Sequence, residues 1–420
     1  MRFLILTQYF PPEIGGAQTR LKSFASELVR RGHDVEVVTA MPNYPRGKFF
    51  EGYEKGWYKR EDLEGITVHR VWLYPAVGGG LKRMLNYTSF TAMSFYGLCR
   101  AQKPDYIFVE SPPLFLSFPA FLAGLVWRVP FIFNVADLWP DVIVDGGFMK
   151  EGIVITCLRK IEKWSYRRAA FVNAVTDWIF KLLQERKSVP LQKLLFLPNG
   201  VDTQKFRPAP PDSDLREQLG LSGKNIVLWA GTLGFAHGLE NVLLAAKLLE
   251  GESDLHFLFV GDGSARVGLQ QMHQQLKLKN VTFRDPVPLD SVPAYFSIAL
   301  CGLASLVDIP TYEGARPSKL FPVLASGKPL IFVGKGEAAQ LVERAQAGIV
   351  VPPGDPQCLA DAFLRLARNP ELAAELGQNG RRFVENNLQW SKLVGEWLRQ
   401  LTSDRIAEQP VAADVSKVSL

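Results

Sequence analysis

Short apolar runs and longer amphipathic stretches take turns along the chain from its first residues. Phe3–Thr7 is a compact run of buried-strand type, so Arg2–Thr7 is a predicted first strand. Leu21, Phe24, Ala25, Leu28 and Val29 then recur at helical spacing, and Gly32 closes that helix. Asp34–Thr39 is the next predicted strand, followed by Thr67–Leu73, Tyr106–Val109 and Phe131–Val135. Each is rich in β-branched and aromatic residues without strict alternation, as strands covered on both faces are. Strand, helix, strand at this spacing implies βαβ units on a parallel sheet.

A break falls at Leu197-Pro198-Asn199-Gly200-Val201-Asp202, and the proline-rich Arg207–Pro211 follows. Turn residues and a shift in composition mark a linker there. The alternation then restarts. Predicted strands Ile226–Ala230, His256–Val260, Val281–Phe283, Leu300–Leu306 and Leu330–Val333 interleave with helices near Glu240–Leu249, Ala265–Leu276, Lys319–Ala325, Ala338–Ala345 and Leu359–Ala367. The expectation is α/β, with doubly wound domains over residues 1–200 and 201–385, a C-terminal helix over 386–401 and a loose polar tail over 402–420.

Composition changes this picture little. A 420-residue chain accommodates two or three domains at about 150 residues each. With 47% hydrophobic and 21% charged residues, wholesale disorder is excluded. The net charge of +6 is modest and suits an anionic ligand or an anionic membrane surface better than a dedicated nucleic-acid partner. Cys99, Cys157, Cys301 and Cys358 are far apart and form no C-x-x-C pair, so reduced and mostly buried thiols are expected, not a zinc site. The N-terminal apolar run is too short for a signal-peptide core. The longest apolar stretch, Leu114–Val129, is broken by Pro119 and ended by Arg128, so no transmembrane helix is expected.

The candidate chemistry sits where predicted strands end. Tyr9-Phe10-Pro11-Pro12-Glu13-Ile14-Gly15-Gly16-Ala17 joins the first strand to the first helix, at the carboxyl end where open α/β sheets bind ligands. Gly15 and Gly16 let backbone amides at the helix start approach an anion; a plain tight turn is the alternative. The spacing G-x-G-x-x-G is absent, which weighs against a dinucleotide site. Asp137, in Asn134–Asp141, follows an apolar strand and is placed to face a cleft, where a carboxylate can take a proton or steady positive charge on a sugar ring. A helix cap is the alternative for Asp137 and the preferred reading for Asp141. Trp229–Gly234 and Phe259–Gly263 are two strand-to-glycine turns in the second domain. Arg316-Pro317-Ser318-Lys319-Leu320 opens a helix, with Lys319 adding the positive charge a phosphate site requires; a solvated surface lysine is the alternative.

Asp212-Ser213-Asp214 is a D-x-D pair of the kind that holds a divalent cation, but its place in the linker before Leu215–Leu219 favours capping. Leu81–Arg100 and Ile161–Arg168 mix basic residues with Phe90, Phe95, Tyr96 and Trp164. They read equally as a membrane-facing surface or as ordinary outer helices.

In this order, these residues resemble the GT-B-fold glycosyltransferases of family 4, in the branch that builds capsular, colanic-acid-type and O-antigen polysaccharides. The resemblance spans nearly the whole chain and rests on Tyr9–Gly16, Asp137–Pro140, Pro198–Phe206, Ala230–Gly238, Val260–Gly263, Pro317–Pro329 and Ala347–Asp355. It implies two Rossmann-like domains facing a central cleft, with the C-terminal helix packing back on the first domain. The first domain would bind the acceptor and the second the nucleotide sugar. Gly15 and Gly16 match the loop that closes on the donor diphosphate. Thr232, Gly234, His237, Gly261, Gly263, Arg316, Ser318, Lys319 and Leu320 fall on the donor side, and Asp137 with Lys319 at the catalytic centre. Two departures stand out: Thr232 and His237 occupy the places of an Arg and a Lys that hold the diphosphate, and Pro322 replaces a glutamate that contacts the ribose, with Glu313 one position off the other.

The resemblance further implies a metal-independent, retaining transfer of an N-acetylated amino sugar such as N-acetylfucosamine. The donor would be a UDP-sugar in preference to a GDP-sugar, with no other cofactor. The acceptor would be a polyprenyl-diphosphate-linked saccharide, met by a cytoplasmic protein held peripherally on the inner face of the cell membrane. A nucleotide-sugar epimerase on the same fold is the rival from another class of enzyme, and a non-catalytic two-lobed binding protein is the third reading.

Overall fold

The computed structural model describes residues 1–54, 56–76, 80–147 and 149–403; the expected tail lies, from residue 404 onward, outside them. One sheet contains β1 (Arg2–Leu6), β2 (Asp34–Ala40), β3 (Tyr58–Leu63), β4 (Ile66–Val71), β5 (Tyr106–Ser111), β6 (Phe131–Val135), β7 (Phe171–Ala174) and β8 (Leu194–Phe196). Its helices are α1 (Gly16–Arg30), α2 (Gly80–Arg100), α3 (Ser117–Trp127), α4 (Asp141–Asp145), α5 (Ile153–Arg168) and α6 (Asp177–Glu185). The other sheet contains β9 (Asn225–Ala230), β10 (Leu255–Val260), β11 (Val281–Arg284), β12 (Ala299–Ser305), β13 (Leu330–Val333) and β14 (Gly348–Val351). With it go α7 (Ser213–Gln218), α8 (Glu240–Leu248), α9 (Arg266–Leu276), α10 (Val292–Ile298), α11 (Leu320–Ala325), α12 (Gly336–Arg344), α13 (Pro356–Arg368), α14 (Pro370–Asn387) and α15 (Trp390–Thr402).

The strand orders are β3-β4-β2-β1-β5-β6-β7-β8 and β11-β10-β9-β12-β13-β14. All neighbours run parallel except β3 with β4. Each sheet reverses its winding once, between β1 and β5 and between β9 and β12. A crevice opens at such a point beyond the carboxyl ends of the strands, and both crevices here carry the expected loops.

Phe131–Val135 is buried at every position, four apolar residues and Asn134 being covered on both faces of the sheet. The strand Tyr58–Leu63 had no counterpart in the apolar pattern. It is an edge strand whose sequence, YKREDL, keeps charges along a half-solvated rim, and edges are defended by charge at the expense of hydrophobic signal. β7, β8 and β14, of three or four residues, were too short to show a period. Cys301 is buried, but Cys99 and Cys157 are exposed, which corrects the expectation of mostly buried thiols.

The chain crosses between the layers twice. Val201 N–H donates to the Leu388 carbonyl at the crossing. Beyond it α15 packs on α1, putting Trp390, Leu393, Val394, Trp397 and Leu401 into the same core as Phe3, Phe24 and Phe108. Trp397 meets Phe24 edge to face at 5.2 Å. The last helix therefore closes the first sheet's core although the second domain precedes it in sequence.

Candidate active site

Loops from both crevices meet. Gly15 precedes α1 with no side-chain cap, and the first turn of α1 holds no acidic residue, so its leading amides are left for another acceptor. Gly16 stands directly over Ser318 of the other domain: a Cβ here would lie 3.1 Å from Ser318 Oγ. A side chain at position 16 would crowd the Ser318 hydroxyl. Nearby, Gly314 packs under the Trp178 ring and α4 and α6 touch the turn Pro310–Gly314.

Lys319 comes into this junction from the turn before α11, which starts at Leu320, one residue after the predicted start. Its Nζ donates to His237 Nε2 at 2.9 Å and lies 4.9 Å above the Trp229 ring, with its stem against Gly231. His237 Nδ1 pairs with the Ser305 carbonyl at 2.8 Å. That contact requires a proton on Nδ1 and leaves Nε2 as the acceptor for lysine. Burial, and then the Lys319 charge, push the His237 pKa down to about 3, so the ring is neutral. Burial alone brings Lys319 down to about 8. No carboxylate among the described residues pairs with it. The solvated-lysine alternative is thereby excluded: this is a crowded cation whose protein partners are all neutral.

Asp137 follows β6 at the facing rim. It caps no helix, because α4 begins at Asp141 after Pro140 and has no side-chain cap. Asp141, expected as a cap, instead binds Arg159 Nε at 3.0 Å and Lys187 Nζ at 2.8 Å. Asp137 remains open to solvent while protein from both sides crowds its carboxyl. The crowding raises its pKa and Arg20 opposes the rise. Tyr312 of the second domain feels the Asp137 charge, so the carboxylate looks across the cleft.

Beneath Asp137 runs a buried polar string with no periodic signal in the sequence. Arg20 is paired to Glu110 Oε1, and Asn134 Nδ2 donates to Glu110 Oε2 at 2.8 Å. Asn173 Nδ2 donates to Asn134 Oδ1 at 2.6 Å, and Trp397 Nε1 to Asn173 Oδ1 at 3.0 Å. Five side chains from four strands and helices of the first layer and from α15 thus satisfy one another in the core, as buried polar groups must.

Three donor-side expectations need correction. Arg316 is buried and its guanidinium is held between Asp177 of the first domain and Glu337 of α12. Glu337 also accepts the Asp177 and Trp178 amides at 3.0 and 2.8 Å. Arg316 is therefore a clasp between domains, with its charge spent on two carboxylates. Leu320 is wholly buried and its amide is bonded to the Pro317 carbonyl, which removes it from any ligand. Gly261 and Gly263 hold positive φ and run so close to the Gly231 and Leu233 carbonyls that no Cβ fits. Their requirement comes first from loop-on-loop packing, which shapes the crevice holding Thr232, Gly234 and His237.

Two doubly wound sheets with their carboxyl edges facing one cleft make this a GT-B fold. Residues 15–200 match the Glycosyl transferase 4-like domain and residues 212–383 the Glycosyl transferases group 1 domain. The putative colanic acid biosynthesis glycosyl transferase WcaI of Escherichia coli strain K12 is 31% identical over 416 residues, covering 96% of this chain and 100% of that protein. The chain belongs to this family of glycosyltransferases. A GDP-mannose-dependent phosphatidylinositol monomannoside mannosyltransferase of Mycolicibacterium smegmatis is 26% identical over 424 residues, with 96% and 98% coverage. HepE of Anabaena, solved in complex with UDP-glucose, shares the fold at a TM-score of 0.70 and 18% identity, with 96% of this chain and all of that one covered. The Escherichia coli and Mycolicibacterium relatives are named as transferases, and the epimerase reading finds no support.

Proposed function

We propose that this enzyme transfers a sugar from a nucleoside diphosphate to a lipid-linked saccharide in the making of a cell-surface polysaccharide, without a metal and with retention at the anomeric carbon. The observation that carries the reading is the Lys319 ammonium, held by a neutral histidine and left without an acid, directly beside the Gly16–Ser318 contact between the domains. A diphosphate placed there meets the cation, the unpaired amides at the start of α1 and the Ser318 hydroxyl, and all are fixed before reaction. Thr232 and Gly234 border the same crevice on the second domain.

In the transfer, the C1–O bond to the diphosphate breaks and the acceptor oxygen bonds to C1. The hydroxyl proton passes to the departing phosphate oxygen. Asp137 then serves to hold a substrate hydroxyl and to steady the oxocarbenium charge. Contact of the two domains excludes water that would hydrolyse the donor. An amino-sugar donor carried on UDP fits the capsular and colanic-acid branch, and HepE supports UDP, while the mycobacterial relative keeps GDP-mannose in the panel.

Membrane attachment belongs to the same proposal. α2 packs on α3 and α3 on α5, and they expose Leu81, Leu85, Leu122, Leu125, Val126 and Ile153 beside Lys160, Lys163, Arg167 and Arg168. Of the aromatic residues expected there, Phe95 and Tyr96 are exposed on α2. Phe90 is buried and Trp164 is stacked on Phe118 at 4.7 Å. Among the described residues no helix is long and apolar enough to cross a membrane. The enzyme would work at the cytoplasmic surface of the membrane.

The test offers UDP- and GDP-sugars, each with and without a lipid-linked saccharide, and records product mass. One glycosyl increment on the acceptor is expected. An isomerised nucleotide sugar formed without acceptor would overturn transfer in favour of epimerisation.

A further inference from the structure

Arg83 stands at the carboxyl edge of the first sheet in an unusual setting. Its guanidinium lies 4.7 Å from the Tyr87 ring centre and 6.0 Å from that of Tyr9. Tyr9 meets Tyr44 edge to face at 5.8 Å, and Tyr87 meets Trp139 at 6.2 Å. The hydroxyls of Tyr9, Tyr87 and Tyr44 lie close to Arg83. Among the described residues no carboxylate forms an ion pair with it, although it is half-buried. Helix stability does not account for its position, since a cation in the first turn of α2 opposes the helix dipole.

The surroundings are built to stay in place. Gln8 Nε2 donates to Asn86 Oδ1 at 2.6 Å, tying the end of β1 to α2. Glu13 Oε1 accepts the Asn43 and Tyr44 amides at 2.7 and 2.8 Å, fixing the Tyr44 loop. Trp139 is joined to the catalytic end through its N–H on the Asp137 carbonyl at 2.9 Å. An aromatic track therefore runs from Asp137 through Trp139 and Tyr87 to Tyr9 and Tyr44, with one unpaired cation beside it. Past the cation, α2 exposes Leu81 and Leu85.

We propose that Arg83 and its tyrosine surround form a subsite for a phosphate or diphosphate carried by the saccharide acceptor. The planar guanidinium presents paired donors that match phosphate oxygens, and its stacking on Tyr87 holds that fork ready. The aromatic faces nearer Asp137 suit the apolar C–H faces of pyranose rings. The acceptor's sugar end thus reaches Asp137, its anionic link rests on Arg83, and its hydrocarbon leaves over Leu81 and Leu85. The inference deepens the acceptor half of the proposed function and rests on it.

The experiment compares wild type, Arg83→Met and Arg83→Lys with two matched acceptors bearing the same saccharide, one on a short-chain alkyl diphosphate and one on a neutral alkyl glycoside. Vesicles are absent in one arm, and anionic vesicles are present in another. Steady-state KM is read for acceptor and donor, and calorimetric binding of both acceptors is read without donor. Arg83→Met is expected to raise KM for the diphosphate acceptor about ten- to a hundredfold, the scale of one lost charge-assisted hydrogen bond, and to leave the neutral acceptor and the donor unchanged. Arg83→Lys, which keeps the charge, should recover part of the loss and guards against a folding defect. An equal effect on both acceptors, no effect, or an effect seen only with anionic vesicles overturns the subsite; the last outcome would make Arg83 a reader of membrane headgroups. If wild type transfers to neither compound yet binds the diphosphate one through Arg83, the proposed function fails and the subsite stands.

Discussion

In the proposed reading, Lys319 concentrates the donor chemistry in one side chain. Only its protonated form can hold a diphosphate, and burial brings its pKa down to about 8. kcat/KM for the donor should therefore fall about tenfold per pH unit above 8, whereas kcat should hold to higher pH because bound diphosphate restores the charge. Stability should move the other way. Between about 8 and the ordinary lysine range the unfolded chain binds the extra proton, so folding strengthens as pH rises. A pH series of donor kinetics and of melting temperature checks both signs. Lys319→Ala should lower kcat/KM by roughly 10²–10³, as for loss of one preorganised donor; unchanged donor kinetics in a folded variant would return Lys319 to a packing role. Asp137 was legible because it follows an apolar strand, and Lys319 because Pro317 and Ser318 signal a helix start beside it. The use of Arg316 was not, since its partners Asp177 and Glu337 are remote in sequence and Asp177 meets it only across the cleft.

Among the elements, the linker helix α7 decides how the D-x-D pair is used. Asp212 accepts the Leu215 amide at 2.9 Å as an N-cap, and Asp214 lies in the first turn. Replacing both by Ala should cost about 1 kcal/mol of stability through the lost cap and leave turnover near wild type. Activity should persist in EDTA; loss on chelation with recovery on manganese would contradict the metal-free reading. α2, α3 and α5 carry the second expectation at this scale. Binding to anionic liposomes should weaken as salt rises, because charge is screened over about 8–10 Å at physiological ionic strength. Equal partition into neutral and anionic liposomes would remove the electrostatic part of the attachment. Most strands were readable because parallel strands buried on both faces carry continuous apolar runs. The edge strand Tyr58–Leu63 escaped because solvent, not a core, selects its residues.

At the scale of the whole molecule, two sheets present their carboxyl edges to one cleft, and the contacts across it are specific. Gly16 rests on Ser318, Trp178 on Gly314, and Arg316 binds both Asp177 and Glu337. The chain's two crossings, near Val201 and Leu388, lie side by side. The central claim is that catalysis occurs in this cleft, with the nucleotide held by the second domain and Asp137 supplied by the first. Asp137→Asn separates the two, because it keeps shape and hydrogen bonding and loses only charge. The direct measurement is turnover of this variant with nucleoside diphosphate affinity determined calorimetrically on the same sample. Turnover should fall at least about tenfold, or ~1.4 kcal/mol of transition-state stabilisation, with nucleotide affinity unchanged. Turnover equal to wild type would contradict the placement of Asp137 at the reacting centre.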